Sequence, residues 1–351
     1  MLSLRNDFGH FSWQAWVGCL FALTLLFPLP VRAWDMTGHR LSAEIAYQSL
    51  SPCARSAVQE QVFLLRSRYP YVRTHGDIAA LPDQIKSRGM SIYNDWHYIS
   101  TPWGDTTLLA GVRTKEVNAL WALTRIEKML REDKLSPEDK AFFLSFYWHI
   151  LADIHQPLHT QTHVDTHYPQ GDLGGLRYRI DSSSANNLHE LWDRGIDQYG
   201  YPHLDYPLRK QQLKRVASDL RAKYPQSALL AELQILDYKD WIENSHKLAK
   251  NVAYSTPYAK RPSQEYIASA SELAQKQITL SGYRMGLAFQ ELFPKEITHA
   301  CASLSRIQDK HVYDKRARDK HVPDKHVQDK NAVARKVLRQ NVRRYVKVIL
   351  H

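Results

Sequence analysis

The chain has 351 residues, 44% hydrophobic and 11% aromatic, which excludes a disordered protein and leaves ample apolar material for a sizeable core. Its formal charge of +11 is unevenly spread: residues 302–351 carry 14 Lys+Arg against 5 Asp, whereas residues 34–301 carry 31 Lys+Arg against 30 Asp+Glu. The main domain therefore has a weak overall field, and any affinity it has for an acidic partner must come from local groups such as metals or a few basic side chains.

At the N-terminus, basic Arg5 precedes an apolar run from Ala15 to Leu26, then Pro28, Pro30 and the small-residue ending Val31-Arg32-Ala33. This pattern predicts a signal peptide, residues 1–33, cleaved before Trp34, and hence export to the periplasm or the medium. The alternative is an uncleaved anchor, although the run is short for a membrane span. Without the leader, Cys53 and Cys301 are the only cysteines left. In an exported protein such a pair is expected to form one disulfide closing nearly the whole domain, with two buried thiols as the alternative.

Helical periodicity dominates the rest. Glu116–Arg131 aligns Val117, Leu120, Leu123, Ile126 and Leu130 on one stripe, Glu138–Leu151 is apolar nearly all round, and Ser263–Leu292 predicts a long helix with a break near Gly282. The best strand signal is Leu176–Ile180, after the turn Gly171-Asp172-Leu173-Gly174-Gly175. An all-α domain over 34–301 is expected, with a small β-hairpin or irregular loop beside the core. Beyond it, Asp-Lys recurs every five residues at Asp309, Asp314, Asp319, Asp324 and Asp329. That period fits no helix or strand face, so 302–351 reads as a basic, low-complexity, mostly disordered tail. Its end, Ala332–Leu350, could form a basic amphipathic helix that touches nucleic acid or an anionic membrane surface.

The chemistry concentrates in His149-Ile-Leu-Ala-Asp153-Ile-His-Gln-Pro-Leu-His159. His149 and Asp153, four apart, share one helix face, and Pro157 is expected to end the helix so that His159 folds back toward them. A second pair, His189 and Asp193, repeats the spacing. Imidazole and carboxylate are the ligands zinc accepts when thiolate is lacking. Asp83 and His97 each lie among apolar or aromatic neighbours, where a metal or an ion pair would remove the cost of burial. At a processed N-terminus, the Trp34 amine and carbonyl could chelate a metal with help from His39. His75, His155, His163 and His167 are expected to be ordinary hydrogen-bonded or exposed histidines.

Taken together, Trp34-x4-His39, Pro-Asp83, Trp-His97-Tyr, His149-x3-Asp153-x5-His159, Gly171-Asp-x-Gly-Gly175 and Asn187-Leu-His189-x2-Trp-Asp193 resemble the S1/P1 nucleases over Trp34 to about Phe293. These are zinc-dependent single-strand nucleases and 3′-nucleotidases related in fold to zinc phospholipase C. The resemblance implies a helical fold and three Zn2+ ions. Asp83, His97, His149 and Asp153 would hold one; Trp34, His39 and a bridging Asp153 its neighbour; His159, His189 and Asp193 the third. An activated water would attack phosphorus in line, with the third metal at the departing 3′-oxygen, leaving 5′-phosphates. Lys86 occupies the position of a basic residue near the phosphate and Tyr98 that of a base-stacking ring, which suits unpaired DNA or RNA or a 3′-nucleotide.

Leu176, where an Asn is usual, and Ser100, where an acidic or amide residue is frequent, depart from the family pattern. The alternatives are a zinc phospholipase C, against which stand the short spacing from Trp34 to His39 and the closing Asp193, and a zinc- or surface-binding protein with weak turnover. No obligate protein partner is expected.

Overall fold

The computed structural model describes residues 34–196 and 206–319. Twelve helices order the described chain: α1 (Met36–Ser49), α2 (Pro52–Arg68), α3 (His75–Lys86), α4 (Thr106–Leu109), α5 (Ala119–Arg131), α6 (Pro137–Asp153), α7 (Leu188–Asp193), α8 (Tyr206–Lys223), α9 (Leu230–Leu233), α10 (Tyr238–Asn251), α11 (Gln264–Leu292) and α12 (Pro294–Asp319). Short 3-10 turns include Asn94–His97 and Pro157–Thr160, and two four-residue strands, β1 (Thr101–Gly104) and β2 (Gln161–Val164), complete the fold. The all-α expectation holds. No helix among the described residues is long and apolar enough to cross a membrane.

The centre is α6. Ser136 caps it, Pro137 fits its first turn where no N–H is needed, and from Leu144 to Asp153 every residue is buried. Helix α3 packs on α6 and on α1, and α1 packs in turn on α11. The close approach of α1 and α11 depends on Gly282: a Cβ there would lie 2.7 Å from both Ile45 Cβ and the Ser42 carbonyl. This explains why α11 runs unbroken through the expected break. The glycine serves helix packing, and the intrahelical bonds of the neighbouring turns carry the helix past it.

Other expectations need correction in detail. Helix α5 starts at Ala119, with Asn118 accepting from the Trp121 N–H, so Val117 precedes the helix and is 40% exposed. Helix α6 ends at Asp153, before Pro157; the proline instead opens the 3-10 turn that carries His159. The segment Leu176–Ile180 forms an irregular loop with one antiparallel bridge, Arg179 to Asn187. The strands lie elsewhere and pair in parallel, Thr101↔Gln161 to Gly104↔Val164. With four residues each and Pro102 and Gly104 in β1, they offer no alternation for a sequence reading to detect.

The expected pairing of Cys53 and Cys301 is present, with Cα atoms 4.8 Å apart, joining the first turn of α2 to α12. The boundary drawn at residue 301 falls inside α12, which continues through Asp309 and Asp314 to Asp319. The later repeats and Ala332–Leu350 lie outside the described residues.

Candidate metal centre

Four helices and two 3-10 turns bring the ligand candidates together. On α1, the Asp35 side chain caps the helix by accepting from the Thr37 and Gly38 N–H groups at 2.9 Å, which sets the register of His39. Burial raises the Asp35 pKa to about 6 against the lowering effect of those two bonds, with the Asp193 charge adding to the rise. The Asp35 N–H donates to the Asp193 carbonyl at 2.7 Å. Trp34 is fully buried, its indole N–H donating to the Ala152 carbonyl at 3.0 Å, so residue 34 is anchored next to Asp153.

Asp83 and Lys86 stand in the last turn of α3, His97 ends the Asn94–His97 turn, and His149 and Asp153 occupy the last turns of α6. His149 Nε2 and His97 Nδ1 approach to 2.8 Å, and Asp83 Oδ1 lies 3.8 Å from the former and 3.9 Å from the latter. Asp153 divides its oxygens. Oδ2 faces His97 Nδ1 at 3.2 Å and His149 Nε2 at 3.3 Å, while Oδ1 faces His39 Nε2 at 3.2 Å. The second pair lies on α7, where Asp193 Oδ2 is 3.3 Å from His189 Nε2 and Oδ1 is 3.7 Å from His159 Nε2. Three groups thus gather their donor atoms within 4.8 Å: His39, His149 and Asp153; Asp83, His97 and His149; His159, His189 and Asp193.

The imidazoles are held in defined tautomers. His149 Nδ1–H donates to the Ala79 carbonyl at 2.7 Å, His159 Nδ1–H to the His97 carbonyl at 2.7 Å, and His189 Nδ1–H to the Gly174 carbonyl at 2.6 Å. Each turns its Nε2 lone pair toward carboxylate oxygens, an arrangement that a cation between them would relieve. Both His39 nitrogens, Asp153 Oδ1 and His159 Nε2 are buried with no hydrogen-bond partner. The separations are close to the roughly 3.3 Å edge of a tetrahedron with zinc-length bonds. Nitrogen and oxygen donors without thiolate also fit zinc.

Electrostatics agree. Burial above all, with neighbouring imidazoles and Lys86 adding to it, holds His97 far below the usual imidazole range. Burial likewise depresses His39 strongly and takes His149 down to about 3. These three imidazoles are therefore neutral and able to ligate. Burial, and then the Asp83 charge, raises the Asp153 carboxyl well above its ordinary value. Such a group ionises readily only beside a cation.

Two sets of residues behind the ligands were not identified as site residues from the sequence. Gln156, fully buried, donates to Asp193 Oδ1 at 2.7 Å, while its own Oε1 accepts from the Leu158 N–H at 2.6 Å. An amide sandwiched between His155 and Pro157 in an apolar run was the available signal. Asp172, also fully buried, accepts from the His163 N–H at 2.9 Å and ties down the loop that offers Gly174 O to His189. Gly174 has φ +66°, and a Cβ there would lie 2.5 Å from the Leu158 carbonyl, so the glycines place this loop and do not start a hairpin.

Lys86 is half-buried, and its charge reaches His97, His149 and Asp153. Tyr98 is half-buried, its hydroxyl donating to Asp95 Oδ1 at 2.8 Å. His75 bonds Glu44 at 2.6 Å, and His155 donates to Leu151 O at 2.7 Å while accepting from Arg284 at 2.6 Å, both ordinary buried histidines as expected. A cavity of about 260 Å³ between α2 and α12 contains none of the ligands.

Comparison with known proteins agrees with this geometry. The family profile described as S1/P1 Nuclease matches residues 34–294. Endonuclease 1 of Arabidopsis thaliana is 25% identical over 298 residues, covering 78% of this chain and 91% of that protein.

Proposed function

The chain belongs to the S1/P1 nuclease family, and from that membership we propose that this nuclease is a zinc-dependent phosphodiesterase acting on single-stranded DNA, RNA and 3′-nucleotides. It cleaves the P–O3′ bond and leaves 5′-phosphates. Asp83, His97, His149 and Asp153 hold one zinc, Trp34, His39 and Asp153 a second, and His159, His189 and Asp193 a third. When bound, the ions supply Lewis acidity to the phosphate, the attacking water and the departing 3′-oxygen.

The chain's own groups complete the site. Lys86 offsets negative charge developing on the phosphate from three residues beyond Asp83. The Tyr98 ring stacks a nucleobase without reading its edge, which favours unpaired strands of any sequence. The carbonyls of Ala79, His97 and Gly174 keep three imidazoles in the ligating tautomer. The protein is exported, and removal of residues 1–33 frees the Trp34 amine, so maturation completes the second metal site. The basic tail supplies added attraction to nucleic acid or an anionic surface.

The observation that carries this reading is the division of the Asp153 carboxylate between His39 on one side and His97 and His149 on the other. Metal analysis of the protein beginning at Trp34, paired with assay on single- and double-stranded DNA, RNA and 3′-AMP, tests it. Zinc in about threefold molar amount is expected, with single-strand cleavage to 5′-phosphate ends. Metal-free protein retaining full activity, or products with 3′-phosphates, would overturn it.

A further inference from the structure

We infer that β1 and β2 lead from the metal cluster to a second nucleic-acid site, an aromatic and cationic track that stacks bases of an unpaired strand beyond the scissile phosphate. The inference rests on the nuclease reading and names where a longer substrate lies. Both strands begin beside ligands: Thr101 follows His97 by four residues, Gln161 follows His159 by two, and the Ile99 N–H donates to the His159 carbonyl at 2.8 Å. Because the pair is parallel, both chains leave the ligands in the same direction. They bring Trp103 and His163 into register about 7 Å beyond the strand starts.

From that pair a run of ring contacts continues outward. Trp103 meets His163 at 4.5 Å between centroids and Tyr254 at 5.2 Å; Tyr254 meets Tyr178 at 5.2 Å, Tyr178 meets Tyr258 at 5.4 Å, and Tyr258 meets Tyr168 at 6.2 Å. Tyr178 and Tyr254 also touch the hydrophobic core, whereas Trp103, Tyr168 and Tyr258 stand apart from it, and Tyr258 is 42% exposed. Aromatic side chains placed on one another outside the core do not serve its packing.

Buried hydrogen bonds fix the inner rings. Gln161, 1% exposed, accepts from the Trp103 indole at 2.5 Å and donates to the Tyr254 hydroxyl at 2.8 Å, and that hydroxyl donates to Asp172. A rigid platform of this kind loses little entropy on stacking a base.

Cations accompany the rings. Lys250 Nζ lies 5.4 Å from the Trp103 ring centroid, and the exposed Arg179 and Lys260 flank Tyr258, where the Ala259 N–H donates to the Arg179 carbonyl at 2.8 Å. The carboxylates nearby include Asp105, which follows β1 and accepts from the Thr107 N–H at 2.9 Å; Asp172, buried and hydrogen-bonded; Asp165, which accepts from the His167 and Tyr168 N–H groups; and Asp181, exposed. The surface chemistry is that of rings interleaved with positive charge, suited to a single strand without sequence preference.

The test measures binding separately from cleavage. The metal-loaded mature protein is titrated into a fluorescein-labelled octathymidylate with cleavage-resistant phosphorothioate linkages, and into a dithymidylate of the same chemistry, and anisotropy is read. Tyr258→Ala and Trp103→Leu should each weaken octamer binding by about tenfold and Lys250→Ala should reduce its salt dependence, with dimer binding unchanged. Equal octamer affinity in the Tyr258→Ala and wild-type proteins, or no octamer binding by the wild type, overturns the track. Tyr258 is exposed, so that variant should fold normally even if Trp103→Leu does not. Cleavage of unmodified single-stranded DNA by the wild type reports separately on the nuclease reading.

Discussion

At the residue scale, the ligand candidates were legible because metal binding needs particular side chains at particular spacings: His149 with Asp153 and His189 with Asp193 are i, i+4 pairs, and helix geometry brings each pair together in the structure. The supports behind them were less legible, since their partners are backbone carbonyls that no side-chain pattern marks. Gln156 tests this second layer. Replacing it by Leu removes the donor on Asp193 Oδ1, and loss of such a partner is expected to weaken metal binding at the His159 group by about 10- to 100-fold. Zinc competition titration of Gln156→Leu, with Gln156→Glu as a companion, reads the effect; unchanged affinity for all metals would show that Asp193 needs no such support. Acid sensitivity follows from the same site. His149, depressed to about 3, stays neutral across mild acid, whereas Asp153 is raised and must lose a proton to ligate. Zinc binding should therefore release protons, and affinity should fall as pH falls, with Asp153 as the main competitor in the group it forms with His39, His97 and His149, whose lowered imidazoles contribute little. Isothermal titration in buffers of different ionisation enthalpy counts the protons released at each pH, and no release anywhere on the acid side of neutrality would contradict this account.

At the element scale, helices with apolar stripes were readable and contacts between elements were not. Glu138–Leu151 anticipated the body of α6 because the helix is buried on every side from Leu144 onward. Gly282 was misread as a break because sequence cannot distinguish a glycine that interrupts a helix from one that admits a neighbouring helix. The parallel strands escaped notice because their pairing is imposed by the loops that position His97 and His159, and not by strand propensity. Gly282→Ala separates the two meanings of that glycine. Since Ala has the higher helix propensity, a purely local role predicts a gain in stability. The packing role predicts a loss of about 1–3 kcal/mol, as the new methyl meets Ile45 and pushes α1 away from α11. Because α1 carries His39, the same variant should lose zinc most readily from the group formed with Asp153. Denaturant unfolding with metal analysis on one sample gives both readings, and a stabilised variant would remove the packing role.

At the scale of the whole molecule, the sequence divides into a near-neutral domain and a basic tail. Residues 34–301 carry almost no net charge, so any electrostatic attraction the domain exerts on an acidic partner is local. The Cys53–Cys301 bond ties α12 to α2 at the end of this domain, and the helix then carries the chain on to Asp319. A truncation meant to remove the tail alone should therefore follow Asp319, since a cut after Cys301 would remove most of α12. Residues 320–351 hold nine Lys+Arg against two Asp. If they add only non-specific attraction, their removal should leave turnover of a dinucleotide unchanged, lower affinity for long single strands, and flatten the dependence of that affinity on salt, because fewer counterions are released per binding event. Steady-state kinetics across a salt series on both substrates decides the point. Loss of dinucleotide turnover would mean that the tail takes part in the site itself. A salt slope equal to that of the full chain would mean that the cations beside the metal centre carry the electrostatic attraction alone.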